Sequence, residues 1–216
     1  TSAASQGRLD AYALAGRPIY FVSSNTHSLP NALCGFASQY QEEILTFLQK
    51  NDPENLWPEA QAALALGSSS RLLNLLYYIQ RAFLGEPGQA QRLEAYRQAE
   101  IESGISTIST PAYLDVSSHI IELNRIDPSR CDPRLQMPHL ERLRQSEALI
   151  INIDYPLGMA AYHILSEVTT NVSGLRGAYF MGKAATLNGR VGDVMIPNVV
   201  YDEQSRNTFL FKNIFT

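Results

Sequence analysis

The sequence is poor in cysteine, in charge and in long apolar runs. Its two cysteines, Cys34 and Cys131, lie far apart, so we expect a reducing compartment, the cytoplasm. Neither these cysteines nor His27, His119 and His139 have the spacing of metal ligands, so we expect no metal site. Charged residues make up 18% of the chain and the net charge is −4, which leaves no basic surface for nucleic acid. No uncharged apolar run approaches the roughly 18 residues of a membrane span, and no basic-then-apolar signal is present. We therefore expect neither a nucleic-acid nor a membrane partner.

The apolar content is nevertheless sufficient for a folded domain. Apolar residues make up 45% of the 216 residues, which excludes general disorder. A chain of this length buries roughly 70% of its unfolded surface without help from disulfides or metals. We predict a single α/β domain over residues 1–216. Because the sequence begins without Met, we expect a processed or trimmed chain, or a piece of a longer protein.

Helix and strand patterns alternate along the chain. Residues 18–22 are apolar and β-favouring, which predicts a buried strand. Residues 33–105 contain four segments with apolar residues at helical spacing, separated by glycine, proline and serine, and these predict a helical block inserted after the first strand. Residues 110–126 fit a strand or a helix, and we favour a helix. The proline-punctuated segment from Asp127 to Arg134 is interpreted as a connector, with a flexible lid as the alternative.

A second group of patterns lies between Leu149 and Val200. Residues 149–153 predict a strand buried on both faces, residues 159–168 a helix, and residues 175–181 another strand. Such a βαβ unit predicts that its two strands are parallel neighbours. Residues 194–200 predict a further strand, with Pro197 indicating a bulge or a sheet edge. The predicted class is α/β, with a mixed central sheet, flanking helices and an N-terminal helical block.

Six polar residues follow the first predicted strand, from Ser23 to Ser28. Loops at the carboxyl end of a buried strand are where α/β proteins place ligand groups. Ser23, Ser24 and His27 are therefore candidate ligand-binding residues. The alternative is a turn with a helix cap, which Ser, Asn and Thr also form.

Three motifs in the second group resemble the nucleoside phosphorylase and nucleosidase superfamily. They are Gly-Met-Ala-Ala from Gly158, Tyr-Phe-Met-Gly-Lys-Ala-Ala-Thr-Leu from Tyr179, and Arg-Val-Gly-Asp-Val-Met-Ile-Pro from Arg190. The resemblance covers about residues 149–201. It implies a phosphorylase-like, three-layer fold that binds or acts on a nucleoside or nucleotide at the N-glycosidic bond. It also implies a homo-oligomer, and no cofactor apart from inorganic phosphate as a co-substrate.

The resemblance also implies site residues. Gly182 and Lys183, together with Ser23, Ser24 and His27, would bind phosphate or another anion, although Lys183 is equally consistent with a surface lysine at a strand end. The candidates for substrate binding are Tyr155, Gly158, Asp202 and Glu203. Tyr155 would stack on a base or simply cover the end of the sheet. Adjacent residues on a strand face opposite ways, which argues against a joint acid–base role for Asp202 and Glu203.

The sequence also departs from the family pattern. Ala184 and Ala185 stand where the family has paired glycines, and the chain ends at Thr216, before the family's glutamate and general acid. We therefore expect either a fragment that needs the C-terminal remainder of the same protein, or a fold that has lost this chemistry, and no catalytic residue is assigned. The alternative function is a non-catalytic binding or scaffold module that uses the helical block as its interaction surface. An unrelated Rossmann-like nucleotide binder is disfavoured because the three-glycine fingerprint is missing.

Overall fold

A computed structural model describes residues 16–108, 118–154, 159–182, 186–190, 192–210 and 212–214, without the side chains of residues 159–161. The chain divides into two compact units, Thr1–Met181 and Gly182–Thr216, each described here by itself. Within the described residues, no helix combines the length and apolar character needed to cross a bilayer.

The first unit is built on a five-stranded sheet with the order β2-β3-β4-β1-β5. Strand β1, next to the edge strand β5, is parallel to both β4 and β5, whereas β3 is antiparallel to β4 and to β2. The predicted α/β class with a mixed central sheet is thus confirmed. The strand bounds are β1 Ile19–Ser23, β2 Ile105–Ile108, β3 Ser118–Glu122, β4 Leu149–Ile153 and β5 Leu175–Phe180.

Six helices lie between β1 and β2. The longest has leucine, isoleucine and phenylalanine at helical spacing on its buried face, and its last residue, Leu84, is followed by Gly85. These helices share one hydrophobic core with Ile105, Ile121 and Ile150 on one face of the sheet. Their bounds are α1 Ser28–Cys34, α2 Phe36–Gln39, α3 Gln41–Lys50, α4 Trp57–Ala65, α5 Ser69–Leu84 and α6 Ala90–Glu102.

The opposite face of the sheet has its own smaller core. Helix α7, Met159–Asn171, packs through Val168, next to the buried Val172, against Ile19 and Leu149. Helices therefore flank the sheet on both faces.

The prediction that β4 and β5 are neighbours is wrong. The two strands are parallel, but β1 lies between them and hydrogen-bonds to both. Both faces of β1 are largely buried, since Ile19, Phe21 and Val22 are all in the core. A strand buried on both faces favours the middle of a sheet, so α7 has to cross over β1 to reach β5.

The predicted helix over residues 110–126 is also wrong in its described part, which contains β3. Ile120 and Ile121 are both almost completely buried and face opposite sides of the sheet, where each joins a different core. A strand places consecutive side chains on opposite faces, whereas a helix would place them on one side. After β3 the chain forms short 3-10 helices at Leu123–Arg125, Pro133–Leu135 and Leu140–Gln145.

The second unit contains an antiparallel pair, β6 Val199–Asp202 and β7 Asn207–Leu210. The strand predicted from residue 194 therefore begins only at residue 199. Pro197 has no backbone N–H to give to a ladder, which agrees with the late start. Most described residues of this unit are exposed, including apolar ones.

Candidate functional site

The sheet has a topological switch point between β1 and β4. The chain leaves β1 towards the helices on one face and leaves β4 towards α7 on the other face. Two neighbouring parallel strands whose connections diverge in this way leave a crevice at their carboxyl ends, which is where open α/β sheets bind ligands. The two strands end side by side, with Ser23 paired to Ile153.

The loop after β1 is a turn that leads directly into α1. The Asn25 side chain accepts a hydrogen bond from the backbone N–H of His27 at 2.8 Å, and the Asn25 carbonyl oxygen accepts one from that of Ser28 at 3.0 Å. Ser24 and Thr26 are buried, whereas Asn25 and His27 are exposed. The loop therefore forms the turn of the alternative interpretation, without a side-chain cap on α1, and its role in ligand binding stays a prediction.

Asn152 attaches this loop to β4. Its side chain is fully buried, its Oδ1 accepts a hydrogen bond from Ser24 Oγ at 3.1 Å, and its Nδ2 donates to the Thr26 carbonyl oxygen at 3.5 Å. A buried amide is costly unless it is hydrogen-bonded, so these contacts stabilise both the amide and the loop. The result is a polar cluster, which we call the Asn152 cluster, made of Ser24, Thr26 and Asn152.

His119 on β3 extends the Asn152 cluster. It stands directly opposite Asn152 in the antiparallel β3–β4 pair, so both side chains lie on the same face of the sheet. His119 is 5% exposed, and its Nδ1 has no hydrogen-bond partner. Burial, reinforced by the positive charge of nearby His27, lowers the pKa of His119 from 6.5 to about 4. The imidazole is therefore uncharged at neutral pH.

The predicted anion-binding residues are distributed over both units. Ser23 and Ser24 are buried at the end of β1, where the Ser23 carbonyl oxygen accepts a hydrogen bond from the Met181 N–H at 2.9 Å. Gly182 opens the second unit and is exposed, and a Cβ added there would meet no atom within 4 Å, so crowding does not require glycine. Lys183 lies outside the described residues.

Two of the predicted substrate-binding residues, Asp202 and Glu203, lie in the second unit. Asp202 ends β6, where its carboxylate accepts hydrogen bonds from the Gln204 N–H at 3.2 Å and from the Ser205 hydroxyl. These bonds lower the pKa of Asp202, which acts as a turn cap. Glu203 is in the same turn and is exposed. The other two candidates, Tyr155 and Gly158, lie outside the described residues.

Sequence reasoning missed Asn152, Thr26 and His119 as site residues. Asn152 had a usable signal, since it is the single polar residue in the apolar run Leu-Ile-Ile-Asn-Ile. A buried amide in such a run has to find partners, and the polar loop after β1 supplies them. His119 has no comparable signal, because the pattern of its segment fits a strand or a helix.

A separate polar network holds the segment from Asp127 to Arg134 in place. Asp132 is buried, and its carboxylate accepts hydrogen bonds from the Tyr77 hydroxyl at 2.8 Å and from the Arg134 guanidinium. The hydrogen bonds from the Arg134 side chain contribute most to lowering the pKa of Asp132 to about 2. The backbone N–H of Asp132 also donates to the Ala32 carbonyl oxygen at 2.7 Å. These contacts favour the connector over the lid.

The chain belongs to a family without a known activity. A family model described as a family of unknown function (DUF6909) matches residues 4–216. No curated protein matches the chain, and no solved structure matches it either. The resemblance to nucleoside phosphorylases therefore contributes only to a proposal.

Proposed function

We propose that this chain, as a member of that family, binds a nucleoside or nucleotide-like molecule in the crevice between β1 and β4. The observation that carries the proposal is the Asn152 cluster at the switch point. Ligand sites in α/β folds combine an apolar wall with a few fixed polar groups, and the Asn152 cluster fixes the polar loop after β1 beside an apolar sheet. A nucleoside carries hydroxyl and base groups that can pair with polar groups of such a loop.

The phosphorylase-like form of the proposal adds cleavage of an N-glycosidic bond, with inorganic phosphate as co-substrate. Catalysis would rest on holding phosphate against the anomeric carbon while the leaving base is stabilised. His27, one of the predicted anion-binding residues, is exposed in the loop after β1 and could donate a hydrogen bond to an anion there. The anion-binding roles of Gly182 and Lys183 rest on the resemblance and stay predictions.

Calorimetric titration of the whole chain with ribonucleosides, deoxyribonucleosides and their monophosphates tests the binding proposal. A chromatographic assay for free base, with and without inorganic phosphate, tests cleavage. Ser24→Ala should weaken binding because it removes the hydroxyl that holds Asn152 in place, whereas Ser38→Ala, an exposed serine on α2, should leave it unchanged. If no member of the panel binds, the proposal is wrong. If a nucleoside binds but no free base is released, the proposed cleavage is wrong and the binding proposal stands.

The second candidate function is an interaction module that forms a homo-oligomer. The supporting observation is the exposure of apolar side chains in the second unit, which is 85% at Val194, 77% at Leu210 and 70% at Ile214. Two-stranded pairs such as β6–β7 are rarely stable alone in water, and clustered apolar exposure often marks an interaction site. In the helical block the exposed apolar residues are few and scattered, so the support lies with the second unit. Light scattering tests self-association, and a monomer at all concentrations would exclude the homo-oligomer.

We also propose the cytoplasm as the location of the protein. Cys34 and Cys131 are both buried free thiols. Burial raises the pKa of Cys34 to about 11 and also raises that of Cys131, so both stay protonated and unreactive. Such thiols are typical of proteins that work in a reducing compartment.

A further inference from the structure

His119 differs from the members of the Asn152 cluster in having unused hydrogen-bonding capacity. The Ser24 hydroxyl and both polar atoms of the Asn152 amide already have partners. The Nδ1 atom of His119 has none, although it is buried. Native structures rarely leave a buried polar atom unpaired, so an unpaired one calls for an explanation, such as a catalytic role or a bound water or ion. A ligand in the crevice would therefore meet one unpaired nitrogen beside groups that are already occupied.

His119 lies on β3, next to β4, which is one of the two strands at the crevice. His119 faces Asn152 on β4 and Thr107 on β2, and all three side chains lie on the same face of the sheet. Thr107 is exposed, so solvent reaches this face one strand away from the buried imidazole.

The charge state of His119 restricts what it can recognise. Burial and the neighbouring His27 disfavour the protonated ring, so His119 is uncharged at neutral pH. A neutral imidazole offers one donor and one acceptor, and it brings no charge to balance a phosphate. The matching ligand group is uncharged and forms hydrogen bonds.

We propose that His119 contacts the ligand directly and selects an uncharged hydrogen-bonding group of a nucleoside, either a ribose hydroxyl or the edge of the base. This inference rests on the proposed function and adds the residue that recognises the sugar or the base. It assigns no phosphate contact to His119.

Calorimetric titration of the whole chain with a ribonucleoside, its 2′,3′-dideoxy analogue, the free base and inorganic phosphate tests this role. His119→Phe keeps a ring of similar size without nitrogen, and should weaken ribonucleoside binding about tenfold or more. His119→Gln restores an uncharged donor and acceptor, and should recover most of that loss. If His119 contacts a ribose hydroxyl, the dideoxy analogue should bind wild type and His119→Phe with equal affinity. If His119 contacts the edge of the base, the substitution should weaken binding of the free base as much as binding of the ribonucleoside. Phosphate binding should not change.

Each contrary result has a definite meaning. If wild type binds no nucleoside, the proposed function falls and this inference falls with it. If wild type binds but His119→Phe binds equally well, only the inference is overturned. The inference is also overturned if His119→Gln binds as weakly as His119→Phe, since the loss would then be structural, or if His119→Phe loses phosphate affinity instead. Urea unfolding of each variant confirms that folded protein is compared.

Discussion

Acid should destabilise this protein through one buried histidine. In the unfolded chain His119 takes up a proton near pH 6.5, but in the folded protein it does so only near pH 4. The stability contributed by the neutral, buried ring is therefore fully present above pH 6.5, and it is lost as the pH falls from about 6.5 to about 4. Between pH 7 and pH 5 the linkage relation puts this loss at about 2 kcal/mol.

Urea unfolding of wild type and His119→Phe at pH 7 and pH 5 measures this effect. Wild type should lose about 2 kcal/mol more than the variant between the two pH values, because phenylalanine cannot be protonated. The comparison with a variant is necessary because burial raises the pKa of Glu100, so that Glu100 changes the stability in the opposite direction. His163→Gln, at an exposed position on α7, is the matched control and should retain the wild-type dependence on pH. Equal losses in wild type and His119→Phe would refute the reasoning.

Two further substitutions test the packing of the segment after β3 against the helical block. Asp132→Ala leaves the Arg134 guanidinium without its carboxylate and should cost about 2–3 kcal/mol in urea unfolding, and a loss below about 1 kcal/mol would contradict the role given to this network. Gly35→Ala places a Cβ 2.5 Å from the Arg130 carbonyl oxygen at a φ of +70°, so its cost should be about 2–5 kcal/mol. Its control, Gly88→Ala, has a φ of +81° but no atom within 4 Å of the added Cβ, and should cost about 1–2 kcal/mol. If both variants lose the same free energy of unfolding, the contact of the added Cβ with Arg130 carries no cost and the argument from crowding is wrong.

The sequence predicts the α/β class because periodicity reports burial directly. The apolar run at β1 and the leucine spacing of α5 each match an element of the structure. The order of strands is not contained in such patterns. Adjacency along the chain predicts that β4 and β5 are parallel neighbours, whereas the structure pairs each of them with β1 through long-range hydrogen bonds. Pairing between distant segments depends on the whole core, and a local pattern does not encode it.

The candidate site was predictable to a similar degree. The loop from Ser23 to His27 could be identified because a polar run follows a buried strand. His119 could not, because its role depends on being opposite Asn152 across a strand pair, and that register appears only in the folded sheet. The segment around Ile120 and Ile121 supports helix and strand equally until the two cores it contributes to are known.

The position of β1 between β4 and β5 has a consequence for how the chain folds during synthesis. β1 is made before the six helices, yet both of its hydrogen-bonding partners, β4 and β5, follow the helical block in sequence. At a typical synthesis rate of about 5–20 residues per second, the interval between synthesis of β1 and synthesis of β4 is on the order of ten seconds. During this interval an apolar strand with two unpaired edges is open to aggregation, whereas the helices can form from local contacts. The sheet can be completed only after β4 and β5 have been made, so the slow step of folding should be the pairing of β1 with β4 and β5.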